Sequence, residues 1–483
     1  MPQNYLDDTD LVSGYLLEKD DRFVYCDADN LEVMLRWQRA ARRPVFETLD
    51  FKTLPAVLAN WQGFNKTCTE QTILDTVEQL RGYAMPVATM LHDTYACRLT
   101  NFTDHQLDNV FINQQLSWLG QGNQQIFIAY PEDIHLLQSD TTPASPIEHA
   151  FADSNARYSF DQIISSLQQQ ARSTDIETDI ESAPAPSPDA PDNTGAYKEE
   201  PGKEAPDAER IWWDAVWSGR ITSESLNAIR QGLQRNFKLS IDKHRTTPAA
   251  AAGYRSRVTR RSVARRATTN TLSGNWHLIP DITEEIDALT ELEHCRERVH
   301  LLLERYGIVT RELANRESAR LRWSQIFRAL RVMELSGEVL QGHFIDGLSG
   351  PQFISQRALN RLMQDGKPAS VFWCNALDPV SPCGLGLDWP ELPQRRVTNF
   401  LSFHGGSLSL VIENLGKRLQ FYIEPEDNHI DRILEPVIHI AKTRGKVRVD
   451  SINGSPTRGS PYRAALARVL QQRSDHRHIW FES

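Results

Sequence analysis

Two stretches of the chain run through one order of parts, and that repeat constrains the fold more than any single motif. In residues 51–137, "LPAVLANWQGF", "TILDTVEQLRG" and "MPVATMLHDTYACRL" read as amphipathic helices. Gly63 and Gly82 are stops, and Pro86 suits a first turn. "DHQLDNVFINQQ" is a further helix. "LSWLGQGNQQIFIAYPED" then reads as strand, glycine-rich turn, strand. Residues 286–354 return to the same order. "LTELEHCRERVHLLLERYG" is a long helix, and Thr310 caps a short one in "IVTRELANRE", with Glu312 close behind. "WSQIFRALRVMELSGEV" is a second long helix, and "EVLQGHFIDG" is a hairpin. "LRGYAMPVATM" corresponds to "ERYGIVTREL", and "QQLSWLGQGNQQIFI" to "LSGEVLQGHFI".

Three helices followed by a hairpin is the winged-helix pattern, a relative of helix-turn-helix. A partial third copy is predicted in "RIWWDAVWSGRITSESLNAIRQGL". There Gly219 breaks a tryptophan-rich helix and Ser223 caps the next, and the wing is either missing or replaced by an arginine stretch. Beyond "LNRLMQDGKP" the pattern turns to short alternating strands with turns at 404–407 and 414–417, closed by the helix "SPYRAALARVLQQ". The expected fold class is α+β: tandem winged-helix domains followed by a mainly β, barrel-like C-terminal domain. The expected boundaries begin with an N-terminal segment 1–50 and a winged helix 51–145. A partly helical, then acidic linker 146–209 follows. After it come a partial winged helix with an arginine-rich loop 210–280, a winged helix 281–365 and the β domain 366–483.

Charge is spread unevenly along the 483 residues, whose formal net charge is -10. Residues 174–209, "TDIETDIESAPAPSPDAPDNTGAYKEEPGKEAPDAE", have no periodic apolar face and read as an acidic linker. Residues 254–266, "YRSRVTRRSVARR", hold six arginines and no acid: Arg255, Arg257, Arg260, Arg261, Arg265 and Arg266. Guanidinium forks suit phosphates, and counterion release makes such binding salt-dependent. Lys238, Lys243, His244 and Arg245 extend the basic field upstream. The alternative is a solvated loop that folds against the acidic linker.

Other classes lack their signatures. No run of eighteen apolar residues is present, so no transmembrane helix is predicted. The start "MPQNYLDDTDLVSGYL" lacks the regions of a secretory signal. Six cysteines without a CxxC pair suggest free thiols in a reducing cytoplasm rather than a zinc site. There is no GxxxxGK[ST] phosphate loop and no HExxH, so no cofactor or metal is expected.

At "WQGF", "WWDAVWSGRIT", "SGNWHLIP" and "ERYGIVTRE" the chain resembles the C-terminal half of the bacterial long helicase-related (Lhr) proteins. "VMELSGEVLQGHFIDGLSGPQF", "NALDPVSPCGLGLDWP" and "GKVRVDSINGSP" continue the resemblance in the same order, over most of residues 50–460. The resemblance implies tandem winged helices and a β-barrel-like domain, a half that is similar to AlkZ-type DNA glycosylases. It also implies a superfamily-2 helicase motor that moves on single-stranded DNA. Motor motifs are absent from this sequence, so the motor belongs either to the same longer chain or to a separate protein. Met1 fits a separately encoded product. Some members are reported to remove uracil, using an aspartate near the C-terminus. In this tail, "QQRSDHRHIWFES", Asp475 and Glu482 are the candidate carboxylates, although neither stands at an identifiable matching position.

In the second repeat Arg322, Gln325, Arg328 and Arg331 recur every three residues and are candidates to reach a groove or phosphate from one face. His343, Gln341 and Gln352 are further candidates in the wing. Trp276 follows the arginine stretch and either stacks on a base or packs its strand "NWHLI". Trp212, Trp213 and Trp217 read mostly as core. The leading expectation is a cytoplasmic DNA-binding module of an Lhr-like, ATP-dependent helicase system in DNA repair. Its expected partner is single-stranded or junction DNA, and no membrane is involved. The rivals are a uracil-type DNA glycosylase acting on a flipped base, and a protein-interaction module without catalysis.

Overall fold

The computed structural model describes residues 11–15, 23–42, 46–138, 145–181, 208–239, 272–280, 286–364, 370–474 and 479–482. The chain divides into two compact units: residues 66–284, and residues 1–65 together with 285–483. No helix among the described residues is long and apolar enough to cross a membrane.

In the 66–284 unit, Thr69 starts the helix Glu70–Leu80. Its hydroxyl accepts from Thr72 N at 3.2 Å, while Thr72 Oγ1 accepts from Thr69 N at 2.8 Å. Ile73, Val77 and Leu80 recur on one face and are buried. The strand Met85–Pro86 follows, then the helix Asp104–Asn113, then a hairpin of Ser117–Gly120 and Gln125–Ala129. In this first sheet the last strand lies in the middle, flanked by the other two.

A second sheet in the same unit has the same order. Tyr158–Ser159 comes first in the chain, Ile221–Ser223 second and Asn275–Leu278 third, and the third strand again lies between the others. The helices Phe160–Glu181 and Ala208–Trp217 separate the first two strands. Ser223 therefore ends a strand. The helix Leu226–Gln234 is capped by Ser225, whose hydroxyl accepts from Asn227 N at 3.1 Å.

The two sheets share one core. Trp118, Trp212 and Trp276 are each fully buried, and Trp276 meets the other two edge to face, at 5.8 and 4.7 Å between ring centres. Each such ring buries on the order of 200 Å², a gross contribution of about 5 kcal/mol. The first hairpin reaches this core through its backbone. Gly122 N donates to Trp217 O at 2.7 Å, and Thr222 Oγ1 donates to Trp118 O. A Cβ on Gly120 would stand 1.9 Å from Val216 O, so no larger residue fits there.

The other unit holds the second repeat. Asp287 starts the helix Ala288–Tyr306 by accepting from Thr290 N at 2.7 Å, and Gly307, at φ 71°, ends it. Thr310 caps the short helix Arg311–Ala314, as its sequence predicts. The helix Trp323–Ser336 ends at Gly337, whose φ of 83° is the left-handed conformation glycine adopts without strain. The strands Ile308–Val309, Val339–Gly342 and Gln352–Ser355 form a third sheet, once more with the last strand in the middle. Inside, Arg305 Nη1 lies 2.5 Å from Glu317 Oε2 with both side chains fully buried, and Tyr306 OH donates to Glu317 Oε1 at 2.6 Å.

The residues around "WQGF" belong to this second unit rather than to a domain 51–145. Trp61 Nε1 and Gln62 Nε2 donate to the Glu304 and Arg305 carbonyls, both at 2.7 Å, which satisfies the end of the Ala288–Tyr306 helix. The C-terminal region forms a six-stranded sheet from Val371–Asn375 to Ser455–Pro456 and a separate three-stranded sheet. Among the described residues the expected barrel is not closed. The strand Arg418–Phe421 pairs in parallel with Ser451–Ile452 after a helical crossover, leaving Val371–Asn375 and Ser455–Pro456 at opposite edges.

Both tests of this packing fall in the 66–284 unit. Gly120→Ala drives the hairpin off the Val216 carbonyl and lowers the stability of the unit by roughly 3 kcal/mol in thermal or urea unfolding. An unchanged midpoint would mean that the close approach is not needed. In the strand Asn275–Leu278, burial and then the Arg157 charge push the His277 imidazole below its usual range. The unfolded chain then takes up the proton first as pH falls. The stability tied to a neutral His277 is complete above about pH 6.5 and drains away below it. The melting temperature therefore drops between neutral pH and pH ~5, and His277→Gln flattens that drop. A variant with the wild-type pH profile would assign the dependence to other groups.

Candidate nucleic-acid interface

The helix Trp323–Ser336 packs Ile326, Ala329, Leu330 and Met333 inward. This burial turns Gln325 and Arg328 to solvent, and Arg322 is exposed at the residue before the helix. Arg322 and Arg328 have no side-chain partner among the described residues, so both guanidinium groups can pair with phosphate. Arg331 does not join them. Three residues turn a helix by about 300°, so a spacing of three drifts by about 60° at each step. By Arg331 the row has come round to the wing, where Nη1 donates to Glu334 at 2.5 Å and to Gln341 Oε1 at 2.8 Å. The helix Ala28–Arg42 also packs against Trp323–Ser336, so part of its surface is covered by the protein itself.

The wing is held from within. Gln352 is fully buried. Its Oε1 accepts from Phe344 N and Ile345 N, both at 2.8 Å, and its Nε2 donates to Ile345 O at 2.6 Å. It shapes the wing and does not face a ligand. His343 lies 3.7 Å from Asp346 on the exposed tip. At the base, Glu338 meets Arg296 at 3.0 Å and His300 at 3.6 Å. Burial alone would raise the Glu338 carboxyl, but hydrogen bonds from Ser336 and Arg296 and the nearby positive charges outweigh it and hold it below its usual range.

Arg255, Arg257, Arg260, Arg261, Arg265 and Arg266 lie outside the described residues, as do Lys243, His244 and Arg245. The segment that contains them has described ends. Leu239 is buried with its N–H donating to Glu209 Oε2 at 2.9 Å, and Leu272 is 2% exposed. In chain order the arginines fall between the strands Ile221–Ser223 and Asn275–Leu278. The first sheet has its short turn at this place, and the third sheet has its wing there. Trp276, at the end of this connection, is enclosed by Trp118 and Trp212, so its ring packs the core and has no free face for a base. Trp212 and Trp213 are buried, and Trp217 stacks on Trp213 at 5.4 Å.

Asp475 lies outside the described residues. Glu482 ends the strand Ile479–Glu482, and its carboxylate sits 2.9 Å from Arg473 Nε. Motif spacing does not single out the residues beside it, Lys446, Arg448, Arg473 and Trp480. Composition does carry a signal, since residues 442–474 hold eight lysines and arginines against one acid, Asp450. That signal is diluted by apolar residues at alternate strand positions. Among the described residues no cluster of three or more histidines, cysteines or acids is arranged to hold a metal, and all six cysteines are free.

Residues 288–371 match the family pattern described as the winged-helix domain of the large helicase-related protein. The chain is 23% identical over 428 residues to the Lhr helicase/probable uracil glycosylase of Mycolicibacterium smegmatis, covering 82% of this chain and 25% of that protein. It is 24% identical over 407 residues to the Lhr helicase/uracil glycosylase of Escherichia coli K12, covering 80% of this chain and 25% of that protein. It thus spans about a quarter of the length of the curated relatives it matches. Among solved structures, Streptomyces sahachiroi DNA glycosylase AlkZ aligns with 85% of this chain and 99% of its own, at 11% identity and a TM-score of 0.45. The chain is related to the large helicase-related Lhr proteins and carries their winged-helix domain at residues 288–371.

Proposed function

We propose that the chain is a DNA-binding module of an Lhr-like, ATP-dependent helicase system in DNA repair, gripping single-stranded or junction DNA chiefly by its phosphates. The observation that carries this reading is the chain position of the six arginines. They occupy the connection between the second and third strands of the second sheet, where a winged helix has its wing. The first, second and third sheets share a strand order that the C-terminal three-stranded sheet also has, and with helices between their first and second strands they support reading residues 66–355 as three tandem winged helices, the middle one with a greatly enlarged wing connection that includes the helix Leu226–Gln234. Arg322 and Arg328 add a second set of phosphate partners. The curated relatives are about four times as long as the matched region. The motor, a superfamily-2 ATPase, then resides in the same longer chain or in a separate cytoplasmic protein.

The relatives' names favour a second reading, a uracil-type DNA glycosylase acting on a flipped base. In this chain Glu482 or Asp475 would supply the carboxylate that stabilises the oxocarbenium-like sugar. A single-stranded oligonucleotide with one uracil, treated with alkali after incubation, separates the readings. Uracil-dependent breaks that Glu482→Gln or Asp475→Asn removes make the chain an enzyme. Tight binding without breaks leaves a DNA-holding module, and no DNA binding leaves a protein-interaction module.

Changing the six arginines of the enlarged wing to alanine weakens binding to single-stranded DNA. It also reduces the slope of log affinity against log salt by about 4, near 0.7 for each phosphate no longer neutralised. Wild-type affinity and slope in that variant would sink the wing reading. Deleting the acidic residues 182–207 spares Glu209, which holds Leu239, and removes negative charge that, by its sign, would compete with DNA for those arginines. Affinity at low salt then rises, and the gain fades at high salt. Equal affinity at all salt concentrations would show that the linker does not screen the arginines.

A further inference from the structure

The three-stranded C-terminal sheet has an outer face unlike any other surface described. Its strands are Lys446–Val449, Ile479–Glu482 and Gln471–Ser474, with Ile479–Glu482 in the middle. Val447, Val449, Ile479 and Phe481 are all buried, so they mark the inner face. Side chains alternate along a strand, and cross-strand partners share a face. The register pairs Arg448 with Trp480 and Trp480 with Arg473 in one outer row, and Lys446 with Glu482 and Glu482 with Gln471 in the next. A half-buried tryptophan thus stands at the centre of the outer face with an arginine across each neighbouring strand. Lys446 Nζ lies 4.5 Å from the centre of its ring.

Three cations share this face: Lys446 lies over the ring and stands opposite Glu482, while Arg448 and Arg473 flank Trp480 from its two neighbouring strands. Two carboxylates offset them: Asp450, 2.7 Å from Arg448 Nη2, and Glu482, 2.9 Å from Arg473 Nε. The Arg473 side chain is nevertheless 70% exposed. The surrounding residues 442–474 carry eight basic residues and one acid, within a chain that is acidic overall. Strands lie about 4.8 Å apart, so Arg448 and Arg473 are about 10 Å apart on either side of Trp480. That span flanks one planar base. The chemistry on this face is a stacking surface with guanidinium and ammonium groups around it, and the ligand it suits is a polyanion with unpaired aromatic rings.

We propose that this face is a single-stranded DNA subsite in which one base stacks on Trp480 while Lys446, Arg448 and Arg473 hold the adjoining phosphates. It rests on the DNA-binding reading above, but neither on the arginines of the enlarged wing nor on the Trp323–Ser336 helix. Duplex DNA keeps its bases stacked inside, so the subsite discriminates against it. Glu482 shares the face and neutralises part of Arg473, so Glu482→Gln strengthens binding.

The test uses the full chain with a fluorescent thymidine oligonucleotide and an abasic oligonucleotide of equal length, read by anisotropy. Trp480→Ala weakens binding to the thymidine strand about tenfold and leaves the abasic strand unchanged, because a ring stacks on a base and not on a phosphate. Trp480→Tyr restores most of the loss, which excludes misfolding as its cause. The pair Lys446→Ala and Arg473→Ala weakens both strands and lowers the salt slope by about 1.4. Equal binding of Trp480→Ala and wild type to the thymidine strand, or an equal loss on both strands, overturns the proposal. The six-arginine variant separates this subsite from the wing. Loss there with no effect at Trp480 sinks the subsite alone. Loss at Trp480 with no effect of the six arginines sinks the wing reading and leaves the subsite standing. Failure of the wild-type chain to bind either strand sinks both.

Discussion

In four separate three-stranded sheets the last strand enters between the two that precede it. The middle strand carries the hydrogen bonds of both its neighbours, so no sheet exists until the chain has returned to supply it. What the chain does before returning differs from sheet to sheet. The first sheet uses a four-residue turn, 121–124, while the second leaves 51 residues, 224–274, between the corresponding strands. The described part of the longer connection includes the helix Leu226–Gln234, whose Leu226, Ala228 and Ile229 are buried, and the buried Leu239 and Leu272. The buried residues fix where this connection leaves and rejoins the core, and in chain order the arginine stretch 254–266 falls between them.

Trp118, Trp212 and Trp276 hold the first and second sheets of the 66–284 unit together, and Leu239 and Leu272 bury the described ends of the arginine-bearing connection. In the other unit the equivalent anchoring is polar. Arg305 and Glu317 form a fully buried pair. Removal of one partner from such a pair typically costs about 3–5 kcal/mol, because the other charge is left uncompensated. Gln352 fixes the shape of the 343–351 loop by satisfying two backbone N–H groups and one carbonyl. Rigid bases and variable loops give each repeat the same frame and a different surface.

The surfaces differ in charge more than in fold. The first hairpin is buried against the Trp217 turn and exposes little of its outer strand. The third sheet presents a modest polar wing whose Arg331 is already engaged. Positive charge is instead concentrated in two places, the 254–266 stretch and the 442–474 region. A net charge of -10 repels any polyanion as a whole, so contact with one depends on such local fields acting within a Debye length of about 8 Å.

The sequence by itself determined the local parts. Thr310 before a short helix, the glycines at 307 and 337, and the alternation of 339–342 announce their structures because capping, left-handed backbone and strand period act over a few residues. The repeated order of those parts was legible for the same reason. Tertiary structure decided what spacing cannot encode. It docked Trp61 and Gln62 on the Ala288–Tyr306 helix, across more than two hundred residues of chain, so the first repeat lost its leading helix to the other unit. It turned Arg331 away from Arg322 and Arg328, because a spacing of three outruns the helical turn. It also enclosed Trp276, since the ring completes a core whose other members lie far away in sequence. Lys446, Arg473 and Trp480 came together through strand register, which depends on pairing between distant segments, and no local pattern in their own residues records it.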